Sequence, residues 1–277
     1  MSSMVIEKMG NPAQADNKSF STVTEMPGGQ ASAEQLSMLY TRYHFAAAFC
    51  RGKEVLEAGC GAGQGLGYLA RFAKKVTGVD IDAQNLKAPE AHYRKRENIE
   101  LHCMDAQKMA FAGETFDVVI LFEAIYYLNR PDLFLAECRR VLRKRGILLI
   151  NTVNPEWQDF NPSPFSTRYF PARELRALLE SYGFKVALYG AFPAQGSSVK
   201  SKMTSLLKRS ARNLGLIPRT MKGKEFLKRI FFGRLAPIPA EVAEDMAEYG
   251  RPVPLLPDVA VPQYKILYAV GQKNGEI

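Results

Sequence analysis

The chain is poor in the residues from which metal and disulfide sites are built: 277 residues include four cysteines, three histidines and one tryptophan. Cys50, Cys60, Cys103 and Cys138 form no C-x-x-C pair and the histidines are scattered. That excludes a disulfide-stapled scaffold and a structural zinc, and implies a reducing compartment. No metal is expected. No apolar run approaches the ~20 residues of a membrane-spanning helix. The region of Glu7, Lys8 and Asp16 lacks the apolar stretch of a secretory signal. The expected location is therefore cytoplasmic. At 47% hydrophobic and 10% aromatic residues, the chain can bury one substantial α/β core plus an appendage.

The most informative segment is Val55-Leu56-Glu57-Ala58-Gly59-Cys60-Gly61-Ala62-Gly63, an aliphatic strand that ends in an acid and three glycines at alternate positions. Glycine permits φ > 0 and brings main-chain N–H groups against a bound molecule. Leu66 to Ala70 reads as the following helix, which places the loop at the carboxyl edge of a parallel sheet. A dinucleotide fingerprint requires G-x-G-x-x-G. Counted from Gly59 or Gly61, the third glycine is replaced by Gln64 or Leu66.

What stands instead, E-x-G-x-G-x-G, resembles motif I of the class I S-adenosylmethionine-dependent methyltransferases, and further segments resemble that family in order. Val76 to Asp82 is similar to its second strand, with Asp80 lying 21 residues past Gly59. His102 to Ala106 is similar to the third strand and adenine site, Phe116 to Glu123 to the fourth strand, and Glu137 to Ile150 to the next helix and strand. The resemblance implies S-adenosyl-L-methionine as cofactor. Asp80 and Ile81 would meet the ribose, where a carboxylate can accept two hydrogen bonds from a vicinal diol. Asp105 and Ala106 would meet the adenine and Phe122 would line the site. Gly59, Gly61 and Gly63 would cradle the donor. Glu57 would lie near the donor's ammonium, and Arg42 with Tyr43 near its carboxylate, for which a guanidinium is a planar match.

The pattern of elements predicts an α/β, doubly wound seven-stranded sheet, mostly parallel with the last strand antiparallel, under an N-terminal helical cap. Residues 1–32, rich in Ser, Gly, Gln and Pro, read as a flexible leader that could order over a ligand. Ala33 to Cys50 reads as an amphipathic helix, and the core extends over 33–192. Within it, Ala172 to Tyr182 is a helix closed by Gly183 and Phe184 to Phe192 a strand. Residues 193–262 exceed any ordinary connection and are expected to form a helical, basic lid or insertion between strands six and seven. The proline-rich run from Pro252 to Pro262 follows an acidic stretch, Glu241 to Glu248, and looks like an extended strap. Residues 263–277 supply the last strand and a tail.

The charge is concentrated in that insertion. Lys200 to Arg234 holds eleven Lys/Arg and one acid, a local +10 against +9 for the whole chain, so the remainder is close to neutral. Three readings stand side by side: a solvated lid face, a holder of a phosphate-bearing acceptor with Lys222 among its contacts, or a peripheral contact with an anionic membrane. Nucleic acid is disfavoured, because the charge is local and no reading module is recognisable. Nothing in the sequence speaks to oligomeric state.

Methyl transfer from a sulfonium needs two positioned reactants and, for a hydroxyl acceptor, a base for its proton. Candidate groups follow strand four. There and elsewhere the chain resembles a narrower group of small-molecule and polysaccharide-biosynthesis methyltransferases, through Arg42-Tyr43-His44-Phe45-Ala46, Phe122 to Leu128, and Asn161 to Ser166. It departs from that group's acceptor-side histidines, which are replaced by Tyr126-Tyr127 and absent from the later loop. Glu123 is then the candidate base, with a helix-capping role as the alternative, and Tyr127 orients the acceptor. Tyr126, Trp157, Phe165 and Tyr169 are candidate acceptor contacts, with a hydrophobic plug as the alternative. The expected activity is methyl transfer to a small-molecule or glycan-precursor acceptor, with or without a phosphate or pyrophosphate. A catalytically silent cofactor-binding or assembly partner and a methyltransferase of lipid or membrane-associated acceptors are the alternatives.

Overall fold

The structure, a computed structural model, describes residues 24–163, 165–194, 235–256 and 259–274. Among the described residues, strands and helices build one main sheet with helices on both faces. Its strands are β2 (Glu54–Ala58), β3 (Lys75–Asp80), β4 (Ile99–Cys103), β5 (Phe116–Phe122), β6 (Leu142–Val153), β7 (Phe184–Pro193), β9 (Val253–Pro254) and β10 (Tyr264–Lys273). The order across the sheet is β4-β3-β2-β5-β6-β10-β7-β9. Pairs from β4 through β6 are parallel, and β10 runs antiparallel to both β6 and β7. The chain order reverses direction at β2, flanked by β3 and β5, so the crevice beyond the carboxyl end of β2 is the switch point where such folds bind ligands.

Successive strand residues face opposite sides of the sheet, and the aliphatic runs exploit both. Leu56, Val119, Leu121, Leu148 and Ile150 pack with Phe134 of α4 (Pro131–Val141) and Leu175 of α5 (Ala172–Ser181). Val55, Val118, Ile120 and Leu149 face the other way, onto Tyr43 and Ala46 of α1 (Ala33–Cys50), Leu69 of α2 (Leu66–Ala70) and Leu86 of α3 (Ala83–Tyr93). The first helix starts sharply because Ser32 and Gln35 form a reciprocal capping box, with bonds of 3.2 and 2.9 Å. Helix α5 ends as expected, with Gly183 at φ 74°.

Three features differ from expectation. The main sheet has eight strands, because Val253 and Pro254 pair with Tyr189 and Gly190 at the outer edge; an exposed proline at an edge leaves no ladder donor to the outside. The end of the leader is structured: β1 (Gln30–Ser32) pairs antiparallel with β8 (Leu235–Pro237) in a separate two-stranded sheet. The described part of the insertion is short strand, turn and irregular chain without a helix, while the basic run Lys200 to Arg234 lies outside the described residues. After β8 the chain crosses α1 and α2 as a strap: Val242 N–H donates to Gln64 O at 2.8 Å, Glu241 pairs with Arg96 at 3.0 Å, and Tyr40 donates to Glu244 at 2.9 Å.

Candidate active site

The strand-to-helix turn after β2 takes the shape its glycines allow. Gly59, Gly61 and Gly63 have φ of 63°, 55° and 71°, a region in which a Cβ is strained. Gly61 is fixed from the next strand, its N–H donating to Asp80 Oδ2 at 2.8 Å. Asp80 Oδ1 accepts from Asp82 N–H at 2.9 Å and from Asn85 Nδ2 at 3.2 Å. Burial holds this carboxyl above the usual carboxylate range, against those three donors. Asp80 is therefore both a strand-end acid facing the crevice and the anchor of the glycine turn.

A cavity of about 360 Å³ opens along the carboxyl ends of β2, β3, β4 and β5. Of the residues expected to hold the donor, Arg42, Tyr43, Glu57, Gly59, Gly61, Asp80, Ile81, Asp105, Ala106 and Phe122 all line it. Gly63 does not. A Cβ there would lie 2.6 Å from Pro89 Cβ, so this glycine serves the close approach of α3 to the turn. Tyr43 donates to Glu57 Oε1 at 2.7 Å in the buried floor, and Glu57 Oε2 has no partner among the described residues. Burial pushes the Glu57 carboxyl up to about 7, the Tyr43 hydroxyl and Arg42 opposing the shift. Asp105 is set by Gln107, whose N–H donates to Oδ1 at 2.8 Å.

On the acceptor side, Glu123, Tyr126, Tyr127 and Phe165 line the same cavity. Glu123 has φ 51°, an uncommon conformation for a side-chain-bearing residue. It does not cap the 3-10 turn Ile125–Tyr127, whose N-cap position is Ala124 and carries no side-chain bond. Instead it accepts from Tyr126 Oη at 2.8 Å, and burial raises its carboxyl above the usual range. Tyr127 donates to Ser163 Oγ at 3.2 Å. Thr167 joins the two acceptor-side loops, its N–H donating to Tyr126 O at 2.7 Å and its hydroxyl to Leu128 O at 2.9 Å.

Tyr169 stands behind the wall, stacked on Tyr126 with ring centroids 4.5 Å apart. Trp157 lies against Lys265, whose Nζ is 5.5 Å from the ring centroid. Neither lines the cavity, and Lys222 is outside the described residues. Sequence reasoning did not single out Thr24, Glu25, Gln64, Asn85, Met104, Gln107 and Thr167, which also line the cavity. Glu25 pairs with Arg42, and its carbonyl accepts from Gln64 Nε2. For Thr24 and Glu25 the sequence signal is the Ser-, Gly- and Gln-rich leader, whose composition allows it to order over a ligand.

The residues fit an adenosyl amino acid. An oxygen of Glu57 and the Nε of Arg42 are buried with no partner among the described residues, and both side chains line the cavity, an acid and a base that match an ammonium and a carboxylate. A Cβ on Gly59 would close to 3.3 Å on Ala124 Cβ, so the turn passes this wall without room for a side chain. Asp80 and Asp105 follow at the strand ends, where a ribose and an adenine would lie. Among the described residues no group of three or more His, Cys, Asp or Glu could hold a metal ion, and no helix is long and apolar enough to cross a membrane.

Sheet order, glycine turn and strand-end acids are similar to those of the class I S-adenosylmethionine-dependent methyltransferases. Residues 56–150 match the protein family described as "Methyltransferase domain". The chain is 37% identical over 142 residues to a "Probable S-adenosylmethionine-dependent methyltransferase" of Mycolicibacterium smegmatis, covering 50% of this chain and 54% of that one. It is 31% identical over 122 residues to a ubiquinone biosynthesis O-methyltransferase of Mesorhizobium japonicum, covering 44% and 49%. The chain thus spans about half the length of the curated relatives it matches. A SAM-dependent methyltransferase from Thermotoga maritima superposes with a TM-score of 0.55 at 14% identity, over 87% of this chain and 91% of that one, a likeness of fold alone.

Proposed function

We propose that the chain transfers the methyl group of S-adenosylmethionine to an oxygen of a small-molecule acceptor, with Glu123 as the base. The observation that carries this reading is the placement of Glu123: a carboxylate at φ 51° on the cavity wall, held by Tyr126 rather than spent on a helix cap. When bound, the donor supplies an electrophilic methyl on a sulfonium, so the protein contributes positioning and a place for the acceptor's proton. Burial keeps Glu123 more basic than an exposed carboxylate, as a base working near neutral pH requires. Tyr126 fixes its rotamer, and Tyr127, turned toward Ser163, offers the hydroxyl that orients the acceptor. The O-methyltransferase among the relatives supports oxygen as the acceptor atom.

The cavity's apolar contribution, from Met104, Leu121, Phe122 and Phe165, suits a partly apolar acceptor. Its charged lining is Glu25, Glu57, Asp80, Asp105 and Glu123 against Arg42. A phosphate on the acceptor would therefore be met by the basic run around Lys222, which supplies the phosphate-contact part of the reading from charge alone. The test is a donor-consumption screen over phenols, hydroxy acids, sugars and their phosphorylated forms, repeated with Glu123→Gln. Turnover of a hydroxyl acceptor that is lost in this variant supports the reading. Turnover that ignores Glu123, or transfer to nitrogen or carbon only, contradicts it.

A further inference from the structure

The donor's proposed carboxylate seat is already engaged by the chain itself. Glu25 accepts from Arg42 Nη2, and the contact is built rather than incidental. Gly28 N–H donates to Ile238 O at 2.8 Å, and the following β1 is paired to β8, so the segment is moored on one side. On the other, Glu25 O accepts from Gln64 Nε2 and Asn85 Nδ2 donates to Thr24 Oγ1 at 3.2 Å. Thr24 Cγ2 would lie 3.0 Å from a Cβ on Gly61, so this segment rests on the glycine turn. Thr24 and Glu25 thereby form a wall of the cavity.

The pairing leaves part of the Arg42 fork unused. Its side chain is 9% exposed against 41% for Glu25, and its Nε has no partner among the described residues. Glu25 engages one nitrogen from the solvent side. A free carboxylate can take two parallel N–H bonds from a guanidinium, a stronger arrangement than one. A ligand that carries its own carboxylate can therefore replace Glu25, whereas a ligand without one has no reason to.

Resting on the donor-site reading above, we propose that Glu25 is an internal competitor for the carboxylate end of the donor. It determines how tightly ligands bearing an amino-acid tail are held relative to ligands bearing adenosine alone. While Glu25 occupies Arg42, the guanidinium is neutralised and Thr24 and Glu25 stay seated on the turn. Binding of donor or product moves the Glu25 carboxylate to solvent, and its return speeds departure of the product.

The experiment is calorimetric titration of the wild-type chain and Glu25→Gln with S-adenosylhomocysteine and with 5′-methylthioadenosine, which lacks the amino-acid carboxylate. Removing a charge-assisted competitor should tighten S-adenosylhomocysteine by about tenfold. Methylthioadenosine affinity should stay unchanged, which also shows that the cavity is intact. Unchanged or weaker S-adenosylhomocysteine binding in the variant, or equal changes for both ligands, overturns the proposal alone. Failure of the wild type to bind either ligand overturns the donor-site reading and this proposal with it.

Discussion

Tyr43 donates its hydroxyl hydrogen to Glu57 Oε1 across 2.7 Å, in a buried floor where the other oxygen of Glu57 has no partner among the described residues. One half of a carboxylate is thus fixed by the cap helix α1 and the other is left facing the cavity.

This geometry sets a pH dependence. Glu57 is raised from 4.5 to about 7 by burial, so the folded chain binds more protons than the unfolded one in that window. Its contribution to stability is complete below pH ~4.5 and is lost as pH rises through ~7. Glu57→Gln removes that loss, so the variant should exceed the wild type at pH 8 by on the order of 3 kcal/mol and match it at pH 4. Thermal unfolding followed across that range checks it; parallel curves would show that Glu57 is not the titrating group. S-adenosylhomocysteine affinity should rise toward pH 7 in the wild type alone, because an ammonium favours the charged form of Glu57.

Two glycines of one turn should fail in different ways. Alanine at either position adopts φ > 0 at a cost of about 1–3 kcal/mol. At Gly63 the new Cβ also meets Pro89 Cβ at 2.6 Å, so Gly63→Ala should mainly lower Tm. At Gly61 the nearest atom is Thr24 Cγ2 at 3.0 Å, beside the cavity, so Gly61→Ala should mainly weaken S-adenosylhomocysteine binding. Melting curves and titrations on both variants would separate the roles; the reverse pattern would refute the assignment.

Glu123→Gln should lower kcat by about 10²–10⁴-fold while leaving S-adenosylhomocysteine affinity near wild type, as loss of a general base requires. Tyr126→Phe, which frees the Glu123 carboxylate from its 2.8 Å bond, should produce a smaller loss in the same direction. Because burial raises Glu123, the acidic limb of the kcat profile should lie above the usual carboxylate range and be missing from Glu123→Gln. Steady-state rates against pH check this, and an unchanged acidic limb in the variant would remove Glu123 from the chemistry.

Asp80→Asn should weaken S-adenosylhomocysteine by about ten- to hundredfold, the scale of a hydrogen bond to a charged group. It should also lower Tm, because Gly61 N–H, Asp82 N–H and Asn85 all converge on this side chain. Titration and melting of one sample test both at once, and intact binding would detach Asp80 from the ribose.

The parts of the fold that were legible in sequence are those in which neighbours along the chain determine the structure. Aliphatic alternation such as Val118-Val119-Ile120-Leu121 fixes a doubly buried strand, and the glycine turn with Asp80 fixes the crevice. What escaped depends on contacts between distant segments. Glu25 reaches Arg42 from a segment held by Gln64, by Asn85 and by the pairing of β1 with β8, which lies more than 200 residues away in sequence. The close approach of Gly63 to Pro89 of α3 is such a contact, which glycine spacing within the turn does not disclose. Trp157 and Tyr169 showed an aromatic cluster but not its direction, since a loop without periodicity does not state which side of it faces the cavity.

The most direct measurement is a crystal structure of the chain with S-adenosylhomocysteine. The account predicts density along the Gly59–Gly63 turn, with the ribose hydroxyls at Asp80, the adenine by Asp105 and Ala106, and the amino-acid end between Glu57 and Arg42. An empty crevice under saturating ligand, or density at another edge of the sheet, would contradict it.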